Sequence, residues 1–388
     1  MAMMETQSTG AGRFAQLDLS RVPSPCFVVD EVKLRDNLSI LKAVSEASGA
    51  EILLALKAFS MWSMAPLISD YLAGTCASGL WEAKLARAHY GGKLATYAPA
   101  FKPSEFDEIA SLSDHVVFNS LAQFDRFHPG LEMAEAGLRI NPEHSEGEVE
   151  KYDPCASGSR LGQPVSQLGK LPDAIRGLHM HTLCEQGFEP LARTVQAIRP
   201  FLEAQKGKIE WLNLGGGHLL TRPDYDRDGL IALLKDLRES LGVQLYLELG
   251  TSVAFDAGIL VGEVLDVTEN NGPVAILDIS ATAHMPDVIE APYRPALMGE
   301  GANKNEGVSV RLGGPSCLAG DTIGDYAFQN VPQAGQRLAF LDQAHYSMVK
   351  TTTFNGIQLP SIAIWNSETD ALRVVKQFDY TDFEGRLS

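Results

Sequence analysis

The chain has no long apolar run: no stretch of its 388 residues approaches the roughly 20 apolar residues that a membrane-spanning helix needs. Residues 1–12 are small and polar, without the basic and then apolar segments of a secretory signal. Cysteine is sparse, with five scattered residues and no CxxC pair. We therefore expect no membrane partner, no disulfide framework and no structural zinc site, and we expect a reducing, cytoplasmic location.

Positive charge is also in deficit, because 32 Lys and Arg face 49 Asp and Glu, for a formal net charge of −17. The phosphates of nucleic acids and anionic membranes would repel such a chain, so neither is an expected partner. A cationic substrate is compatible with this charge, although solubility alone also explains it. The length favours two domains over one core.

The sequence does contain a regular alternation of short apolar strands and amphipathic segments, such as residues 80–89 and 190–205. Eight such strands predict an α/β fold, a closed parallel (β/α)8 barrel of the TIM type. The predicted strands are 52–57, 72–77, 94–98, 115–119, 138–141, 177–181, 211–214 and 245–248.

Beyond about residue 255 the pattern changes to strand-like segments separated by Gly, Pro and Asn, with few long helical patterns. This predicts a second, mostly β domain, barrel- or sandwich-like, with which a strand at 25–30 would pair. The expected organisation is a loose tail at 1–13, a strand region joining the β domain at 14–30, the barrel at 31–255 and the β domain at 256–388.

Several chemically useful residues stand where barrel strands are predicted to end, and such ends meet at the rim that carries the active site. They are Lys57, His181, the triplet Gly215, Gly216 and Gly217, and Glu248. Each alone has an ordinary explanation, as a strand-end charge, a core histidine, a turn or a rim acid. Together they offer an amine for a Schiff base, bare amides for a phosphate and a carboxylate for a pyridinium nitrogen.

His179 lies two residues before His181 on the same predicted strand, so both side chains share a face. Periodicity does not choose between them, and His181 is preferred because it is nearer the rim. The two histidines resemble a metal pair, but no carboxylate or third histidine stands at a convincing ligand spacing. We therefore expect no metal.

The second domain contributes a Gly- and Pro-rich loop, residues 314–321, with Cys317 inside it. A lone cysteine is commonly a buried packing residue, but a thiol in a polar loop can act as a proton donor. Tyr346, further on, is either a packing residue or a phosphate ligand.

These segments resemble the alanine-racemase-like, fold type III pyridoxal-phosphate decarboxylases, from about residue 23 to the C-terminus. Two segments, His284-Met285-Pro286-Asp287 and the sequence from Cys317 to Asp321, resemble those of the branch that acts on carboxynorspermidine and carboxyspermidine. The other segments that carry the resemblance are 55–59, 177–181, 214–217 and 344–356.

The resemblance implies pyridoxal 5′-phosphate as cofactor, a cationic carboxylated polyamine as substrate, and a homodimer with active sites at the interface. Cys317 would reach the neighbouring subunit's site and protonate the carbon that loses the carboxylate. The implied cofactor contacts are Lys57 (covalent), His181 (stacking), Glu248 (pyridinium), Gly215, Gly216, Gly217 and Tyr346 (phosphate), with Gly250 retained beside Glu248. The implied substrate contacts are Asp287 at the polyamine end, Asp321 and position 251.

One departure concerns the end of the eighth strand, where the family reads Glu-Pro-Gly-Glu and this chain reads Glu248-Leu249-Gly250-Thr251. Thr251 replaces a carboxylate that the family uses on the substrate. The expected reaction is decarboxylation of carboxynorspermidine or carboxyspermidine to norspermidine or spermidine. The alternatives are a diaminopimelate, ornithine or lysine decarboxylase of the same fold, or a non-catalytic pyridoxal-phosphate-binding protein.

Overall fold

The computed structural model describes residues 7–147, 150–300 and 307–388. The chain divides into two compact units, one formed by residues 36–253 and the other by the chain up to Arg35 and from Ala254 onward. The strands are β1 (Cys26–Asp30), β2 (Glu51–Ala55), β3 (Gly74–Ala77), β4 (Lys93–Tyr97), β5 (His115–Phe118), β6 (Glu135–Asn141), β7 (Gln163–Pro164), β8 (Ile175–His179), β9 (Trp211–Asn213), β10 (Gln244–Leu249), β11 (Gly258–Glu269), β12 (Pro273–Leu277), β13 (Val308–Gly313), β14 (Thr322–Phe328), β15 (Arg337–Leu341), β16 (Ser361–Asn366) and β17 (Ala371–Lys376).

Most α-helices lie between barrel strands, and the second unit contains several short ones. They are α1 (Glu31–Ser48), α2 (Ala65–Ser69), α3 (Leu80–His89), α4 (Pro103–Leu112), α5 (Leu121–Phe127), α6 (Phe188–Ala204), α7 (Arg227–Leu241), α8 (Thr251–Ala254), α9 (Ala281–His284), α10 (Asp287–Glu290), α11 (Ser347–Lys350) and α12 (Tyr380–Glu384). Across the described ranges, no helix combines the length and the apolar character that a membrane crossing requires.

The first unit is a barrel: among the described residues, eight parallel strands run in the order β5-β4-β3-β2-β10-β9-β8-β6, and β6 pairs with β5 to close it. Each of the eight predicted strands overlaps one of these, so the predicted (β/α)8 fold is confirmed. The boundaries differ at two functional positions. Lys57 lies in a turn beyond β2, because the amides of Ala58 and Phe59 both bond the carbonyl of Ala55, and His181 lies two residues beyond β8.

The barrel helices show why the amphipathic segments were recognisable. In α7, Leu230, Leu234, Leu237 and Leu241 recur at helical spacing and are all buried. The Asp226 side chain accepts from the Gly229 amide at the helix start, and Gly242, with φ of 72°, ends the helix. Propensity, capping and burial therefore agree along this segment.

Inside the barrel, Trp211 fills the interior between neighbouring strands. Its ring stacks on His115 at a centroid distance of 4.4 Å, and it is 2% exposed. Gly137 and Gly177 face the indole so closely that a Cβ at either position would overlap it. These two glycines therefore create the space for the largest side chain of the barrel interior.

The second unit contains a sheet in the order β14-β13-β12-β11-β1-β16-β17, with β15 also paired to β11. The strand β1 runs antiparallel to β11 and parallel to β16. Both faces of this sheet are covered, because Phe27 packs in one apolar cluster while Cys26 and Val28 pack in another. Double burial explains why β1 is continuously apolar up to Asp30. A barrel with a separate sheet domain is the predicted fold class, which is confirmed.

The expected loose tail at 1–13 is described only from residue 7 onward. Residues 1–6 lie outside the described residues. Ser8 and Thr9 both donate hydrogen bonds to the Asp256 carboxylate, and a 3-10 helix over Gly12–Gln16 buries Phe14. The Asp256 carboxylate therefore bonds two residues of the predicted tail, and the buried Phe14 follows directly after it.

We predict that Gly177→Ala destabilises the protein by about 1–3 kcal/mol, because the added methyl group must displace the Trp211 ring in a filled interior. The melting temperature should fall measurably in a thermal unfolding experiment. Gly169→Ala is the matched control, since nothing lies within 4 Å of a Cβ built there. Equal melting temperatures for the two variants would contradict the proposed packing.

Candidate active site

The central group of the barrel site is the Glu248 carboxylate on β10, which is 9% exposed. Its Oε1 accepts from the Asn213 side chain at 2.8 Å, and its Oε2 lies 3.2 Å from Nε2 of His179. Because a carboxylate only accepts, the His179 Nε2 carries the proton and donates. Three adjacent strands, β8, β9 and β10, thus supply the acid and both of its partners.

Electrostatics keep Glu248 ionised. Burial alone would raise the pKa of Glu248, but His179, the Lys57 ammonium and the Asn213 hydrogen bond outweigh it and lower this pKa to about 2. Burial lowers the pKa of His179 below its ordinary value, so the imidazole donates in its neutral form. The site therefore presents a fixed anion at neutral pH.

Lys57 lies beyond the end of β2, the strand that pairs with β10. Its side chain is exposed, and its charge acts on Glu248 and on His181. The neighbouring amide of Leu56 bonds the carbonyl of Cys76 on β3, which ties the start of the turn to the barrel. A primary amine is thus held at the rim, next to an anion.

His181 meets the glycine triplet directly. Its Nδ1 accepts from the Gly216 amide at 3.1 Å, and Arg139 donates to its backbone carbonyl. Burial, followed by the charges of Lys57 and Arg139, lowers the pKa of His181 well below its ordinary value. The imidazole is therefore neutral at physiological pH and can lie against an aromatic ring.

The glycine triplet follows β9 and has no room for side chains. A Cβ at Gly215, Gly216 or Gly217 would overlap backbone atoms of residues 180–184 or of Glu248, and the first and third have φ of 70° and 83°. The Gly215 amide bonds Asn213 and the Gly216 amide bonds His181. Of the three amides that the sequence assigned to a phosphate, the Gly217 amide has no protein acceptor among the described residues.

Gly250 and Thr251 follow Glu248 on the same unit. Gly250 packs on Ala58, with no space for a Cβ, which joins the end of β10 to the Lys57 turn. Thr251 begins the short helix α8 and is partly exposed.

The remaining predicted residues belong to the second unit. Cys317 is exposed, and its amide donates to Oδ1 of Asn355 at 3.3 Å. Asp321 is buried. Tyr346 has φ of 52° and ψ of −56° at the start of α11, a strained backbone conformation of the kind found at functional sites.

Asp287 does not stand alone. It accepts from the Lys350 ammonium at 2.6 Å, and Glu290 accepts from the same ammonium at 2.8 Å. The acid that the sequence assigned to the polyamine end therefore already holds an internal primary ammonium.

Sequence reasoning missed three residues of the barrel site: Asn213, Arg139 and, as a partner of Glu248, His179. Arg139 is 5% exposed, and its guanidinium lies over the Tyr97 ring at 4.6 Å. A signal existed, because Arg139 and Asn213 are polar residues inside predicted apolar strands and need a partner there. In the described part of the chain, no group of three or more His, Cys, Asp or Glu is arranged to hold a metal.

Comparison with known proteins gives consistent likenesses. The family model described as "Pyridoxal-dependent decarboxylase, C-terminal sheet domain" matches residues 26–344. A carboxynorspermidine/carboxyspermidine decarboxylase of Campylobacter jejuni is 41% identical, over 94% of this chain and 99% of its own. A carboxyaminopropylagmatine decarboxylase of Synechocystis is 42% identical, over 95% of this chain and 96% of its own.

Among solved structures, carboxynorspermidine decarboxylase from Campylobacter jejuni, complexed with norspermidine, superposes with a TM-score of 0.87. It is 40% identical and covers 94% of this chain and 100% of its own. Diaminopimelate decarboxylase from Helicobacter pylori, at 17% identity and a TM-score of 0.79, shares the fold.

A buried histidine beside the triplet provides a test of the site's electrostatics. His218 is 2% exposed, its Nδ1 meets the Tyr225 hydroxyl at 2.9 Å, and its Nε2 has no partner among the described residues. Burial lowers the pKa of His218 to about 4. Protonation is therefore easier in the unfolded chain than in the folded one.

We predict that His218 makes folding stability depend on pH. The unfolded chain takes up the proton below an ordinary pKa of 6.5 and the folded protein only near 4, so stability is full above pH 6.5 and falls towards pH 4. The full shift corresponds to about 3 kcal/mol. Urea unfolding of wild type and His218→Asn across this window should show a shallower slope in the variant. The exposed His89→Asn is the control, and identical slopes for wild type and His218→Asn would refute the prediction.

Proposed function

The chain belongs to the pyridoxal-dependent decarboxylase family, and on that basis we propose that it removes the carboxylate from carboxynorspermidine or carboxyspermidine, giving norspermidine or spermidine. Decarboxylation with pyridoxal 5′-phosphate is the reaction of the family. The proposal of this substrate is supported chiefly by 41% identity along nearly the whole of both chains to a decarboxylase named for it.

The barrel residues fit the cofactor. The barrel unit contains a primary amine, an ionised buried carboxylate and a turn of three glycines. None of these glycines has space for a Cβ atom. Lys57 would hold the cofactor covalently, Glu248 would face its ring nitrogen, and Gly217 would offer an amide to its phosphate. Bound pyridoxal phosphate supplies an electron sink for the pair left by the departing carboxylate.

The protein's own groups then have distinct tasks. Because Glu248 remains an anion, it favours a proton on a nearby ring nitrogen, and its bonds to His179 and Asn213 fix where it points. Neutral His181 stacks without adding charge. Cys317 donates a proton to the carbon that has lost the carboxylate. Gly215, Gly216 and Gly250 shape the backbone, and Tyr346 contacts the phosphate.

The substrate contacts are proposed as Asp287 and Thr251, since Asp321, the third residue that the resemblance implied, is buried with both carboxylate oxygens bonded to protein donors. A cationic substrate suits a chain of net charge −17, and Asp287 with Glu290 binds a primary ammonium within the protein itself, that of Lys350. Thr251 offers a hydroxyl where the family has a carboxylate, so it can bond an amine but does not attract one by charge.

A second candidate substrate is carboxyaminopropylagmatine, which ends in a guanidinium. The Synechocystis decarboxylase named for it is as similar to this chain as the Campylobacter jejuni enzyme, at 42% identity. An acidic pair suits either cation, and a planar guanidinium can bond two carboxylates at once.

We further propose a cytoplasmic homodimer in which Cys317 of one subunit serves the Lys57 site of the other. Two inactive variants, Lys57→Ala and Cys317→Ala, should then restore activity when mixed and allowed to exchange subunits. Random exchange would restore about a quarter of the sites. No recovery, with dimers exchanging in a mass-spectrometric assay, would place both residues in one subunit's site.

We predict that Lys57→Ala abolishes both the visible absorbance of bound cofactor and carbon dioxide release, because the variant lacks the covalent amine. Lys84→Ala is the matched control, since Lys84 is exposed and forms a surface ion pair with Glu108. Purified proteins reconstituted with pyridoxal phosphate would be compared by spectrum and turnover. Cofactor absorbance and turnover retained in Lys57→Ala would disprove the attachment.

The substrate proposal predicts at least about tenfold higher kcat/KM for carboxynorspermidine or carboxyspermidine than for diaminopimelate, ornithine or lysine. Carbon dioxide release would be measured for each compound, with carboxyaminopropylagmatine included. The highest kcat/KM for carboxyaminopropylagmatine would select the second candidate, and the highest value for diaminopimelate would overturn both.

A further inference from the structure

We propose that Asp321 and Asn355 are positioning residues that fix the backbone on either side of Cys317 and so present its thiol for proton transfer. This inference rests on the proposed role of Cys317 as proton donor. It assigns Asp321 a different task from the substrate contact that the sequence suggested, and it assigns a task to Asn355, which sequence reasoning had not singled out.

The Asp321 carboxylate is an internal acceptor. It is 5% exposed. Its Oδ2 accepts from the Ser280 hydroxyl at 2.9 Å and from the Ser316 amide at 3.2 Å, while its Oδ1 accepts from the Thr282 amide at 3.2 Å. A buried carboxylate with three donors, two of them at the start of α9, is a structural anchor.

The same residue closes the loop through its backbone. The Gly314 amide bonds the carbonyl of Asp321, and the Asp321 amide bonds the carbonyl of Leu318, each at 2.9 Å. A Cβ on Gly314 would overlap the Asp321 carboxylate. Residues 314–321 therefore form a loop whose base is tightly packed, while Cys317 and Leu318 at its tip are exposed.

Asn355 fixes the tip from the other side. Its Oδ1 accepts from the amide of Cys317 itself at 3.3 Å. Asn355 has φ of 62° and ψ of 16°, a left-handed conformation that asparagine tolerates better than most residues. The backbone amide of Ser316 is bonded to Asp321, and that of Cys317 is bonded to Asn355. The thiol side chain is therefore the part of the tip that remains free to move.

Fixed placement matters because the proton must reach one carbon. The electron pair that held the carboxylate forms the new C–H bond with the Sγ proton, and the resulting thiolate takes a proton from water. A misplaced donor delays this step without weakening the binding of substrate. When the proton does not reach this carbon, the electron pair can take a proton on the bound cofactor instead, and hydrolysis then gives a carbonyl product in place of the amine while the substrate nitrogen stays on the cofactor. Carbon dioxide is then released in excess over amine product, which a general loss of folded protein would not produce.

The test uses the full-length holoenzyme with Asp321→Asn and Asn355→Gly. The amide of Asp321→Asn cannot accept all three hydrogen bonds, since its NH2 group only donates. Asn355→Gly removes the acceptor of the Cys317 amide and leaves a residue that suits positive φ. The matched controls are Asp325→Asn, whose carboxylate pairs with Arg311 at the surface, and Asn271→Gly, an exposed asparagine with φ of 54°.

We expect both test variants to lower kcat about 10- to 100-fold, with KM changed less than about twofold, and to lower the ratio of amine formed to carbon dioxide released. Peptide-resolved alkylation by iodoacetamide should show a changed rate at Cys317 and an unchanged rate at Cys184. The controls should match wild type. If the Asp321→Asn variant does not fold, the result for Asn355→Gly alone tests the positioning role.

Two results have separate meanings. Full kcat and an unchanged product ratio in Asn355→Gly, with Cys317→Ala inactive, would overturn the positioning role while leaving the proposed function intact. Full activity in Cys317→Ala would show that the proposed proton donor is wrong, and the positioning role would fail with it.

Discussion

The barrel site depends on keeping one carboxylate ionised inside a protein. Taking such a group out of water costs several kcal/mol, and Glu248 is 9% exposed. The cost is offset because β8 and β9 place His179 and Asn213 against its two oxygens, and hydrogen bonds to a charged group contribute about 1.5–3 kcal/mol each. Parallel pairing of the neighbouring strands β8, β9 and β10 brings residues 179, 213 and 248 together, so the charge state of the site depends on the fold.

That arrangement also explains which groups are free for chemistry. Asn213 bonds both Glu248 and the Gly215 amide, and His181 accepts from Gly216. The strand that supports the anion therefore also holds the glycine turn in shape. Gly217, whose amide is not used within the described residues, is the member of the triplet left to bond a ligand. Glu248 and the glycine turn are consequently coupled through Asn213.

The sequence was sufficient to predict the barrel because the strands are short and apolar and several of them are followed by amphipathic helices. Candidate rim residues then follow from where the strands end. Lys57 and Glu248 were predicted in that way. Asn213, Arg139 and the partnership of His179 with Glu248 were not, because hydrogen-bond pairing between residues tens of positions apart leaves no periodic trace. The strand ends were misplaced at Lys57 and His181. At Lys57 the reason is that the turn at 55–59 is set by backbone hydrogen bonds that any residue types can form.

The sequence also does not reveal which acidic side chains are already paired within the protein, and this bears on substrate choice. Asp287 and Glu290 both accept hydrogen bonds from the Lys350 ammonium. Both carboxylate oxygens of Asp321 accept hydrogen bonds from protein donors. A count of acids therefore overstates the negative charge offered to a polyamine: the two carboxylates and one ammonium of the Asp287 group sum to −1. In the proposed role of Asp287, a distal substrate cation would have to share or displace Lys350. Because Thr251 is uncharged, selectivity would then depend on how well the end group of the substrate competes with that lysine.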